Sequence, residues 1–128
     1  MSHTMKIKTQ VYDAECAELA LRKMGYNTIE VHQVAQHLYN YMGNKLNNKA
    51  HVIVRRNQFG GSVNDFGIEV GIEGETESFI HIDGRQLDVN KFNQLYGVEV
   101  ALKDANMRGY FTSEEVMQDG RIRLRIRS

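Results

Sequence analysis

The chain of 128 residues contains no proline, so its turns must be made by glycine, asparagine or aspartate, and slow X-Pro isomerisation cannot limit folding. Its single cysteine, Cys16, can neither close an internal disulfide nor supply a thiolate metal cluster alone. Zinc ribbons, iron–sulfur centres and disulfide-stapled secreted folds are therefore excluded within one chain. Net charge is also missing: sixteen Lys and Arg balance sixteen Asp and Glu, which removes any global electrostatic case for a nucleic-acid or membrane-surface protein. No apolar run approaches the ~20 residues of a membrane span, and the start MSHTMKIKTQ lacks the apolar core of a signal peptide. The expectation is a cytosolic-type protein without a membrane role.

With 41% apolar and 25% charged residues, the chain has the composition of an ordinary globular protein, and its length suits a single domain over 1–128. From His3 to Val11 the odd positions Met5, Ile7, Thr9 and Val11 alternate with Lys6, Lys8 and Gln10, the period of a half-buried strand. Asp13 then stands as an N-cap, with Glu15 and Glu18 early, Arg22 and Lys23 late, and Gly25 as a C-terminal stop. Ala17, Ala20, Leu21 and Met24 give this helix one apolar face.

Two readings compete over residues 31–43. Val31, Val34, Ala35, Leu38 and Met42 fall at helical spacing, whereas a strand–turn–strand arrangement also fits. The stretches from Ala50 to Arg56, from Phe66 to Glu73 and from Phe79 to Asp83 read as consecutive antiparallel strands, because their linkers are too short for crossover helices. Asp88 caps a second helix that carries Phe92, Leu95, Tyr96, Val100 and Leu102 and ends before Gly109. Asp119-Gly120 between two β-like runs predicts a terminal hairpin.

The neutral total hides local blocks. Residues 41–61 carry Lys45, Lys49, Arg55 and Arg56 and no acid, while residues 62–90 carry seven acids against Arg85 alone. The simplest account is mutual neutralisation across neighbouring strands. The last strand is the sharper feature, since Arg121, Arg123, Arg125 and Arg127 share one face and Ile122, Leu124 and Ile126 the other. Such a stripe matches an acidic protein partner first and nucleic acid second, with Arg55 and Arg56 as further basic candidates. The plainer alternative is a solvated face whose arginines pair with Glu69, Glu73, Glu114 or Glu115 and guard a sheet edge.

Candidate chemistry is sparse. His81 and Asp83 lie two apart on a strand and point the same way, so with Asp65 they form a candidate set for a divalent ion, the basis of a metal-dependent hydrolase or nuclease-like alternative. Against it stands a surface histidine among the acids of its own segment. No Gly-x-Ser-x-Gly elbow, P-loop or dinucleotide fingerprint is present, Cys16 reads as core packing, and no catalytic residue or cofactor is expected.

The motifs MSHTMKIKTQ, LRKMGY, LYNYMGNK, HVIVRR, SVNDFGIEV, LYGVEVALKDANMRGY and DGRIRLRI, in this order and spacing, resemble the hypothetical chloroplast frame thirty-five family of plastids, cyanobacteria and other bacteria. Members have no assigned function, so the resemblance implies a fold and no active site. It implies an extended LYNYMGN segment with a glycine turn, which favours strand over helix for residues 31–43. The expected placement is cytoplasmic, or else a plastid stroma or a virus-infected bacterial cytoplasm, and the family's association with ATPase genes makes an ATPase one conceivable protein partner. Relatives usually close the middle block with aromatics including tryptophan; here GRQLDVNKF stands in that place and tryptophan is absent. The element order implies an α+β domain of two layers, a mostly antiparallel sheet with both helices on one face, ferredoxin-like in spirit. The expected function is a non-enzymatic binding or adaptor module whose open sheet face carries the arginine stripe.

Overall fold

A computed structural model describes residues 3–127. The alternating N-terminal segment forms strand β1 (Thr4–Thr9), and Asp13 caps helix α1 (Ala14–Lys23) by accepting the Cys16 N–H at 3.0 Å. Residues 31–43 are extended, as strand β2 (Glu30–Tyr39) and a turn at Gly43 that leads into β3 (Lys45–Val54). A 3-10 turn (Arg56–Phe59) precedes β4 (Phe66–Glu69) and β5 (Ser78–Asp83). Helix α2 (Val89–Met107), capped by Asp88, leads to the terminal pair β6 (Phe111–Val116) and β7 (Ile122–Arg127).

Five strands form one antiparallel sheet in the order β1-β5-β4-β3-β2, and β6 with β7 forms a separate antiparallel sheet. One main core joins Ala17, Ala20 and Leu21 of α1, Phe92 and Leu95 of α2, and Val52, Val54, Phe66, Ile68, Ile80 and Ile82 of β3–β5. Both helices therefore cover the same sheet face, and the fold is α+β with two layers. The ferredoxin-like arrangement is not reproduced. Helix α1 links the two edge strands β1 and β2, which have β5, β4 and β3 between them, a wider separation than in a split βαβ unit.

The second sheet face is partly roofed. Between the Val31–Val52 and Gln36–Ala50 pairs, β2 spends residues 32–35 against His51 alone, and a further shift follows between His37 and Tyr39. Such bulges bend and twist a ribbon. The β2–β3 hairpin curls over the face away from the helices and buries a small second core of Leu38, Ala50 and Ile53, with Leu46 against it. Gly67 makes the curl possible: a Cβ there would lie 2.5 Å from the Ala50 Cβ and 3.0 Å from the Leu38 Cδ2, so the roof rests on bare β4 backbone. Among the described residues no helix is long and apolar enough to cross a membrane.

Candidate functional site

The terminal hairpin turns where Asp119 and Gly120 predict. Gly120 adopts φ 85°, the Met117 N–H donates to the Arg121 carbonyl at 2.7 Å, and the Asp119 Oδ1 accepts the Arg121 N–H at 3.0 Å. Its register sets Glu115 opposite Arg123, Ser113 opposite Arg125 and Phe111 opposite Arg127. The other face carries Glu114, which accepts from Lys23 Nζ at 3.0 Å, and Ile122, which packs against the main core. Those two contacts help fix the hairpin with its arginines outward, and Arg121, Arg123, Arg125 and Arg127 are all exposed. Their face belongs to the separate hairpin and not to the open face of the five-stranded sheet, which corrects the expected placement. The reason lies in topology: among the described residues the segment after α2 does not return to the main sheet and pairs only with itself.

The stripe is only partly neutralised. Arg121 pairs with Asp119 at 2.5 Å within the turn, and Arg123 meets Glu115 at 3.8 Å, both at exposed positions where such pairs contribute little. Arg125 and Arg127 have no ion pair or side-chain hydrogen bond among the described residues. Of the expected acidic partners, Glu114 is held by Lys23 and Glu69 by His81, so Glu115 alone serves an arginine of the stripe.

Arg55, expected as a further partner-binding candidate, is half-buried and engaged by groups of its own chain. Its Nε and Nη2 donate to the two Glu30 oxygens at 2.6 and 2.8 Å, and its Nη1 donates to Asp65 at 2.9 Å and to the His37 carbonyl at 3.2 Å. These bonds hold the Glu30 carboxyl below its usual range, chiefly through Arg55, and Arg55 above its own. Arg56 donates its side-chain Nη1 to the Tyr41 carbonyl at 3.2 Å and its backbone N–H to Asp65. The Arg55–Asp65 pair is one instance of the neutralisation expected between the basic and acidic blocks.

The candidate trio Asp65, His81 and Asp83 is occupied internally. Asp65, 1% exposed, accepts from Arg55, from the Arg56 N–H and from the Tyr39 N–H at 2.8 Å. Asp83 accepts the Asn64 N–H at 2.8 Å. His81, 2% exposed, takes the Asn48 amide on Nδ1 at 3.1 Å, so its proton sits on Nε2 and is donated to Glu69 at 3.1 Å. Among the described residues, no group of three or more His, Cys, Asp or Glu is disposed to hold a metal ion. Cys16 is buried as expected, and burial together with the nearby Asp13 carboxylate pushes its thiol up to about 11, which leaves no thiolate for nucleophilic work.

No family model, curated protein or solved structure matches the chain. Sequence reasoning missed the Asn48–His81–Glu69 set, because Asn48 and His81 lie on strands separated by β4 and meet only through the curl. Gly67 between Phe66 and Ile68 is the available signal, since a glycine inside a strand marks a close approach of another segment.

Burial holds the His81 imidazole below its usual value of 6.5. The unfolded chain therefore binds a proton below pH 6.5 that the folded chain refuses, so this residue's contribution is intact above 6.5 and is lost as pH falls toward the depressed folded value. Thermal melting of wild type and His81→Gln across pH 7.5 to 5 should show a shallower decline in the variant; parallel curves would refute the assignment.

Proposed function

We propose that the protein is a non-enzymatic binding module that docks an acidic, extended segment of a partner protein along β7. The observation that carries this reading is the pair Arg125 and Arg127, exposed, on one face, and without a carboxylate partner among the described residues. Same-face neighbours on a strand stand ~6.6–6.8 Å apart, the spacing of alternate side chains in another extended chain. Among the described residues β7 pairs only with β6, so one of its edges has no strand neighbour there to take its backbone hydrogen bonds. Phe111, 75% exposed and opposite Arg127, supplies an apolar contact at the end of the stripe. The order and spacing of the short motifs support placing the chain with the hypothetical chloroplast frame thirty-five family, and an acidic segment of an ATPase would have the required chemistry.

The test is fluorescence anisotropy with a labelled ten-residue peptide that alternates glutamate and valine. Wild type should bind with an affinity that falls as salt rises, and the double variant Arg123→Glu, Arg125→Glu should lose at least about tenfold, since charge-assisted contacts typically contribute 1.5–3 kcal/mol each. Both arginines are exposed, so the melting temperature should not move. Equal binding by wild type and variant would sink the reading, and a single-stranded DNA oligonucleotide that outcompetes the peptide would transfer the stripe to nucleic acid.

A further inference from the structure

We propose that the roofed face of the five-stranded sheet holds a second site, independent of the hairpin, for a small ligand that carries an oxyanion such as a phosphate or carboxylate group. Where the β2–β3 hairpin curls over Gly67, a cleft of about 410 Å³ opens, whose polar lining includes Lys6 of β1, Asn48, Lys49 and His51 of β3, Glu69 of β4 and His81 of β5. This volume falls within the range of small-molecule sites. With Ala35 of β2 its walls draw on all five strands, and the buried His81 fixes the floor.

The donor and acceptor inventory decides the sign of the ligand. Lys6 lies 4.2 Å from the centre of the Phe79 ring and has no ion pair among the described residues, and the same is true of the exposed Lys49. His51 accepts the Val70 N–H on Nδ1 at 2.9 Å, which places its proton on Nε2 as a donor without a protein acceptor among the described residues. Glu69 is the sole carboxylate on the wall among the described residues, and His81 Nε2–H donates to one of its oxygens. Counted over the lysines and the carboxylate, two ammonium groups against one carboxylate leave the cleft with one net positive charge. Asn48 and Glu69 hold His81 in place from both ring nitrogens, so His81 is a positioning residue: it restrains Glu69, which would otherwise be free to neutralise Lys6 or Lys49.

The experiment is an amide correlation NMR titration of the intact protein with inorganic phosphate in a non-phosphate buffer, with a parallel arm in citrate to separate phosphate from carboxylate. The signals of Asn48, Lys49 and His51 should move saturably. Lys6→Gln with Lys49→Gln should weaken binding about tenfold, and Glu69→Gln should tighten it severalfold, because removing a wall carboxylate favours an anion. A merely structural role for Glu69 does not yield tighter binding. Absent shifts, shifts confined to residues 111–127, or weaker binding by the Glu69→Gln variant would overturn the proposal.

Discussion

Gly67→Ala is expected to lower the melting temperature by on the order of 5–15 °C, an unusually large effect for adding one methyl group. The new Cβ would sit 2.5 Å from the Ala50 Cβ and 3.0 Å from the Leu38 Cδ2, inside distances that carbon atoms tolerate. Ala50 and Leu38 are both 0% exposed, so neither can swing into solvent. Either the β2–β3 roof lifts and exposes Leu38, Ala50 and Ile53, or β4 shifts within its ladder; overpacking of this kind typically costs about 1–3 kcal/mol. The diagnostic is compensation. In the double variant Gly67→Ala, Ala50→Gly the methyl changes sides of the same contact, and most of the lost stability should return in thermal melting. A single variant that melts with wild type would show that the roof does not rest on β4.

Arg55→Ala is expected to cost roughly 3 kcal/mol in urea denaturation, the lower end of the range for breaking a buried ion pair. Loss of the guanidinium leaves Asp65, whose side chain is 2% exposed, with only the Tyr39 and Arg56 N–H donors for its charge. It also releases Glu30, which starts β2, from its two-pronged contact. Arg55→Lys should recover less than half of the loss, because an ammonium cannot meet Glu30 through two parallel bonds and still reach Asp65 and the His37 carbonyl. A loss below about 1 kcal/mol for the alanine variant would mean that the network is solvated and energetically idle. By contrast, equal measurements on Arg125→Ala should show almost no change, which separates arginines that build the fold from those available for contact.

Much of the fold was legible because local signals agreed with the final packing. Asp13 and Asp88 both cap helices, Asp119-Gly120 makes its turn, and Phe66 and Ile68 face the core as their alternation requires. Residues 31–43 were ambiguous for a physical reason. The bulge over residues 32–35 breaks the two-residue period and leaves Val31, Val34 and Leu38 at a spacing that imitates a helix. Their exposures of 44%, 73% and 0% show that they do not form one buried stripe. The candidate site was less legible. Alternation gave the facing of the arginines on β7, yet could not say whether that strand joins the main sheet, since this depends on where the chain runs after α2. Nor could it show that Arg55 lies against Glu30, twenty-five residues away in the chain, or that Asn48 reaches His81.

The placement of β1 bears on how the polypeptide is made. Strands β3, β4 and β5 form a meander whose members follow one another along the chain, so it can assemble as soon as it clears the ribosome. Strand β1 has one partner, β5, in a register that joins Thr4 to Asp83 and Thr9 to Ser78. Strand β1 must therefore wait, without this partner, until residue 83 has emerged. At typical elongation rates of about 5–20 residues per second, that is an interval of several seconds. During this wait Lys6 and Lys8, set between Met5, Ile7 and Thr9, keep the nascent segment charged on one side and discourage premature pairing with a neighbouring chain.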